Sequence, residues 1–265
     1  MSEYASELRL AVLYLAGALL AVVATVSAAV PSLHWREILD NCVDARCGCV
    51  LHGAYTVVYF NGGRNAICHF AVLASLPAAV VGLVMSGYHG YRVCISAHKT
   101  SGRSAGYRNG RPATAQPASR EPKVKPPACR CWVLLAVLAA LNTLLLFAVA
   151  VTLSHGYHTT CSQYRHQLAR TLPAVGLSAR AVHERLPCSA VLDFMDFLEP
   201  TTRPFRRRHD VDYSRPHEEV GPSRGGFIHT ATALLLAACS AWANTAVWAL
   251  VTALNVALER LARTN

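Results

Sequence analysis

The chain has 265 residues, 53% of them apolar and only 15% charged, and a formal net charge of +10. An ordinary soluble domain carries about 25% charged residues. A single conventional soluble domain is therefore excluded, because the charge deficit is concentrated in four long segments free of Asp, Glu, Lys and Arg.

Residues 1–9 form a short polar N-terminus with Glu3, Glu7 and Arg9. The uncharged segment 10–30 follows, long enough as a helix to cross ~30 Å of hydrocarbon at 1.5 Å per residue. A signal peptide is the rival reading, since "VSAAV" (Val26–Val30) offers small residues and a cut after Ala28. The apolar part is longer than a usual signal core and its flank is hardly basic, so it is taken as the first span. Residues 31–65 make the first outer loop. Within it "CVLHGAYTVVYFNGG" (Cys49–Gly63) places β-branched and aromatic residues before an Asn-Gly-Gly turn, which predicts a short strand or hairpin.

The second span, 66–88, contains Pro77, which is expected to kink it. Residues 89–131 are rich in Gly, Ser, Pro and Arg and lack the apolar content for a core, so they read as a disordered basic loop. The third span is 132–153, with Asn142 near its middle. The second outer loop, 154–225, has helical patterns around Ala179–Leu186 and in "AVLDFMDFLEP" (Ala190–Pro200). Its Arg206–Arg208 run reads as a solvated face, with an acidic-partner patch or a protease site as alternatives. The fourth span, 226–258, carries Asn244 and the small residues Ala237, Ala241 and Thr245, and a tail of 259–265 ends the chain. Buried amides in lipid prefer partners on other helices, so Asn142 and Asn244 are expected to pair or to face the bundle interior. The fold class is thus all-α: a four-transmembrane-helix bundle with a small disulfide-linked outer cap, into which a short β hairpin is expected to fold.

Orientation follows from the loops. The middle loop sets Arg92, Lys99, Arg103, Arg108, Arg111, Arg120, Lys123, Lys125 and Arg130 against one acid, Glu121. Short loops rich in Lys and Arg stay in the cytoplasm, which places both termini there as well. The second outer loop is also arginine-rich, but long loops translocate largely regardless of charge.

The ten cysteines divide by compartment. Cys42, Cys47, Cys49, Cys68, Cys161 and Cys188 lie on the oxidising side and read as disulfide partners, their pairing open. Zinc held by Cys47, Cys49 and His52 is the rival reading; His155 and His158 read as a polar membrane edge. Cys94, Cys129 and Cys131 lie at cytoplasmic helix ends, where S-acylation competes with plain free thiols. Cys239, inside the fourth span, reads as a small packing residue.

The stretch "CHFAVLASL" (Cys68–Leu76) resembles the transmembrane protein 179 family, which has an outer Cys followed by x-Phe-x-x-Leu-Ala-Ser-Leu. "CGCVLHGAYTV" is similar to that family's cysteine-bearing first-loop strand, and "SAWANTAVWALVTALNV" (Ser240–Val256) to its Trp-rich last helix. Cys49 and Cys68 match its loop-one cysteines; Cys161 and Cys188 fall where its second outer loop carries two. The loops here are longer and richer in arginine, and Cys42 and Cys47 are extra. The resemblance implies a four-span membrane protein and no particular activity.

The absence of Asp, Glu, Lys and Arg deep in the spans argues against a pump, a transporter or an intramembrane enzyme. The expected function is that of a non-enzymatic membrane scaffold or accessory subunit. The alternative is a pore- or path-lining subunit of a channel or transporter. No catalytic, cofactor-binding or metal-ligating residue is expected. The expected partners are the lipid bilayer, anionic inner-leaflet lipids and another membrane protein, with no nucleic acid, in a membrane of the secretory pathway or the plasma membrane.

Overall fold

The computed structural model describes residues 3–36, 39–40, 46–55, 60–105, 131–171, 186–198 and 228–264. Among the described residues the helices are α1 Glu3–Trp35, α2 Asn65–Leu73, α3 Leu76–Ala105, α4 Cys131–Thr171, α5 Cys188–Leu198 and α6 Thr230–Thr264. Two strands, β1 Cys49–Tyr55 and β2 Phe60–Gly63, pair antiparallel. Four stretches, Ala5–Trp35, Asn65–Cys94, Val133–Gln167 and Thr230–Leu261, are long and apolar enough to cross a membrane. Large apolar side chains on them face outward, Leu134 at 68% and Leu144 at 66% exposure among them.

The helices outrun the apolar segments. α1 continues past Val30 through Pro31 to Trp35, α3 through the basic residues to Ala105, and α4 to Thr171. Residues 89–105, expected in the disordered loop, are therefore helical. Loss of hydropathy marks where a helix would leave lipid, whereas a helix ends where its hydrogen bonding is broken, and no proline occurs between Pro77 and Pro112. Pro77 itself does more than kink. It has no N–H to bond the carbonyl four residues back, and its ring collides with that carbonyl. The helix accordingly stops at Leu73, turns through Ala74 and Ser75 and restarts at Leu76 with Pro77 in its first turn.

The chain forms two compact units. One, here the helical unit, comprises Met1–Ala21, Pro77–Leu146 and Ala243–Asn265. Its core joins Leu10, Tyr14, Leu146, Trp248 and Val251 with Ala78, Ala79 and Ala139, whose small side chains let backbones approach. The Trp248 ring meets Tyr14 edge-on at 5.7 Å.

The other, the hairpin unit, comprises Val22–Leu76 and Phe147–Trp242. Trp35, Val50, Leu51, Leu153, Leu192 and Met195 are fully buried in its core. Disulfides join Cys49 to Cys68, tying β1 to α2, and Cys161 to Cys188, tying α4 to α5. Closing loops of this size stabilises a small structure by about 3 kcal/mol per bond.

The hairpin forms, but the Asn-Gly-Gly segment is not its turn. Asn61, Gly62 and Gly63 lie within β2, and the connection falls at 56–59, outside the described residues. The glycines serve close approach instead. A Cβ on Gly62 would stand 2.2 Å from the Cys47 carbonyl oxygen, and one on Gly63 2.1 Å from that of Leu51. The register runs Cys49↔Gly63, Ala54↔Asn61 and Tyr55↔Phe60, so β1 advances five residues where β2 advances two. The excess forms a bulge containing His52 at φ 58°. Thr160 of α4 serves the bulge: its buried hydroxyl donates to the Val50 carbonyl (2.8 Å) and accepts the Gly53 N–H (3.0 Å). Thr160→Val keeps the volume and leaves both backbone groups unpartnered, a loss of about 1–3 kcal/mol. A lowered melting temperature and faster amide exchange at Gly53 in detergent-purified protein are the expected readouts; unchanged values would show the hydroxyl to be dispensable.

Candidate functional site

In the hairpin unit, three elements meet at one carboxylate. α5 presents Val191, Leu192 and Met195 to the core, and the same face carries Asp196, which is 4% exposed. Its Oδ2 accepts the backbone N–H of Thr230 at 2.8 Å, and its Oδ1 accepts the Thr230 hydroxyl at 2.5 Å. Thr230 opens α6, where the first N–H groups have no partner within the helix and the dipole favours an anion. The Thr230 Oγ1 in turn accepts the indole N–H of Trp35, the last residue of α1, at 2.7 Å. Burial pushes the Asp196 carboxyl above the ordinary carboxylate range and nearby Asp193 adds to the rise. The two bonds from Thr230 and the charge of His34 oppose it.

On the bulge, the His52 ring lies 5.0 Å from that of His155 on α4. Burial lowers the pKa of His52, and repulsion from His155 lowers it further. Arg165, one turn beyond Cys161, donates to the Leu186 carbonyl at 2.6 Å and fixes the approach to α5.

In the helical unit, Glu7 of α1 binds two groups of α3. Its Oε2 meets His89 Nδ1 at 2.5 Å and its Oε1 meets Arg92 Nη1 at 2.7 Å. Arg92 also lies 5.8 Å over the Tyr88 ring. His89 is fully buried and stacks on Tyr14, planes 8° apart. The Tyr14 hydroxyl accepts the Asn255 amide at 3.1 Å.

Of the cysteines named from sequence, Cys49, Cys68, Cys161 and Cys188 are in the two disulfides above; Cys47 is disulfide-bonded too, and Cys42 lies outside the described residues. Cys94 is a free, exposed thiol, Cys131 opens α4, and Cys129 lies outside the described residues. Asn142 and Asn244 are both buried, the first in α4 and the second in α6. Cys239 is not a packing residue: it is exposed, and Ala237 and Ala241 hold the buried face of α6 beside it. The Arg206–Arg208 run and most of Ala179–Leu186 lie outside the described residues. Among the described residues no cluster of three or more His, Cys, Asp or Glu is placed to hold a metal ion. Comparison with protein-family models, curated proteins and solved structures finds no match.

Reading by hydropathy missed both acid-centred clusters. Signals were present: His89 and Arg92 stand three residues apart on one helix face, and Asp196 sits directly beside Met195 inside an apolar stripe. The two titrating groups of the hairpin unit should act with opposite signs. Asp196 has a raised folded pKa, so its favourable contribution is complete below the unfolded value and is lost as pH rises through the folded value. His52 has a lowered one, so its contribution is present above the unfolded value and is lost as pH falls through the folded value. Thermal melts from pH 4 to 8 should show Asp196→Asn removing an acid-side gain and His52→Asn removing an acid-side loss. Profiles parallel to the parent would refute both assignments.

Proposed function

We propose that this chain is a multi-pass integral membrane protein with four spans, acting as a non-enzymatic scaffold or accessory subunit. The supporting observation is the pairing of four outward-apolar helices with a disulfide-closed hairpin unit. Such exposed apolar faces suit lipid, because water would make them aggregation sites. The disulfide-bonded cysteines of known pairing belong to the hairpin unit; of the free thiols, Cys94 belongs to the helical unit and Cys239 lies within the apolar stretch Thr230–Leu261. That division agrees with an oxidising outside for the hairpin and a cytoplasmic side for the basic loop and both termini. The hairpin and α5, fixed by covalent bonds and by Asp196, offer a rigid surface to a partner ectodomain, and the exposed helix faces offer contact to partner helices. Membership of the transmembrane protein 179 family is part of this reading and rests on the sequence resemblance at Cys68–Leu76.

A second reading, a path-lining subunit, is favoured by the buried polar residues Asn142, Asn244, Asn255 and His89 of the helical unit.

Two measurements test these readings. An impermeant lysine label applied to intact cells should spare Lys99, Lys123 and Lys125, and labelling there would reverse the orientation. Crosslinking in native membranes should recover a stoichiometric membrane-protein partner, with no conductance when the purified chain is placed in liposomes. Conductance without a partner would replace the scaffold with the path-lining reading.

A further inference from the structure

In the hairpin unit, the disulfide between Cys161 and Cys188 has a cation at both of its sulfurs. Arg165 Nη2 stands 3.8 Å from Cys161 Sγ and 3.8 Å from Cys188 Sγ, while donating to the Leu186 carbonyl at 2.6 Å. The spacing of Cys161 and Arg165, one turn apart on α4, and the anchor at Leu186 hold the guanidinium there. Cys188 is also the first residue of α5, and the Val191 N–H bonds the Pro187 carbonyl. The N–H groups of Cys188, Ser189 and Ala190 thus have no partner within the helix, and the helix dipole favours an anion at this end. Both features are suited to negative charge. A closed cystine carries none, whereas the thiolates that appear when it opens do.

Access distinguishes the two ends of the bond. Cys161 is 0% exposed, whereas Cys188 is only partly buried. In thiol–disulfide exchange a thiolate attacks one sulfur and the other departs as a thiolate, faster when that thiolate is better stabilised. An incoming thiolate therefore meets Cys188 Sγ, and Cys161 Sγ departs beside Arg165. The bond between Cys49 and Cys68 offers no such end, since those residues are 1% and 5% exposed.

We propose that Cys188 is a thiol-exchange site, at which an external dithiol reversibly opens the disulfide to Cys161. One thiolate of the dithiol bonds to Cys188 Sγ. The bond between Cys188 and Cys161 breaks, and Cys161 leaves with the electron pair and takes up a proton. The second thiol of the reagent loses its proton and attacks its own sulfur of the mixed disulfide, displacing Cys188 as a thiolate beside Arg165 and the start of α5. The dithiol is oxidised to a disulfide, and the protein gains the same two electrons. The covalent tie between α4 and α5 is thereby released while Cys49 and Cys68 stay joined. The proposal goes beyond the scaffold and path-lining readings and depends on neither, being a property of the hairpin unit alone.

The full chain, purified in detergent, is equilibrated with graded ratios of reduced to oxidised dithiothreitol, quenched with acid and alkylated. Peptide mass spectrometry then reads the two bonds separately. The bond between Cys161 and Cys188 should open at a distinctly less reducing ratio than that between Cys49 and Cys68. A shared midpoint, or the reverse order, would overturn the proposal. With glutathione as the only reductant, the mixed disulfide should be trapped on Cys188; trapping on Cys161 would overturn the point of attack. Arg165→Gln should require a several-fold more reducing ratio, and Arg165→Lys should restore most of the parent behaviour. A guanidinium that merely braces the junction of α4 and α5 gives the opposite sign, because its loss would loosen the bond and let it open more easily. That result, or an unchanged midpoint in Arg165→Gln, would overturn the part assigned to Arg165.

Discussion

A backbone N–H or C=O taken out of water must find another partner, or the fold loses free energy comparable to a hydrogen bond. Three irregular features of this protein sit where that demand is met from outside the local ladder. The bulge in β1 takes up the Thr160 hydroxyl. The start of α6 takes the Asp196 carboxylate. The approach to α5 takes the Arg165 guanidinium at the Leu186 carbonyl. Along the long helices the main chain bonds itself, which is the arrangement a hydrocarbon surrounding demands.

Buried and half-buried acids follow the same rule with higher stakes, because an unpaired charge in a poorly solvated place is far more costly than an unpaired amide. Glu7 shares its two oxygens between His89 and Arg92, and Asp196 shares its two between the amide and hydroxyl of Thr230. In both clusters the acid is supplied by one helix and its partners by another, so each fixes the register of two elements as well as satisfying a carboxylate. The stacking of Tyr14 on His89 extends the first cluster into the aromatic core of the helical unit.

The four long helices were legible in the sequence because uncharged apolar runs of this length exceed what the core of a soluble domain uses, and a hairpin was legible from the β-branched and aromatic residues before Gly62. Finer features were not, for identifiable reasons. Asn-Gly-Gly is both a turn signal and a close-approach signal, and local pattern does not say which use prevails; here the backbones of Cys47 and Leu51 decide it. Hydropathy also hides helix ends, since α1, α3 and α4 run on through polar residues. The acid-centred clusters depend on partners far away in the chain, which a local reading cannot supply. Cys239 shows the reverse case, a small residue whose assignment to the packed face failed because the stripe of Ala237 and Ala241 passes beside it.

The separation between partners has a consequence for how the molecule is made. Trp35 bonds Thr230, 195 residues later, and Tyr14 bonds Asn255, 241 residues later. At ribosomal speeds of about 5–20 residues per second, α1 exists for roughly ten to fifty seconds before these contacts can form. During that interval Glu7 already has the α3 groups His89 and Arg92 within reach, made earlier. The charged knot, whose partners are 82 residues apart, is therefore the first of these three long-range contacts that can form.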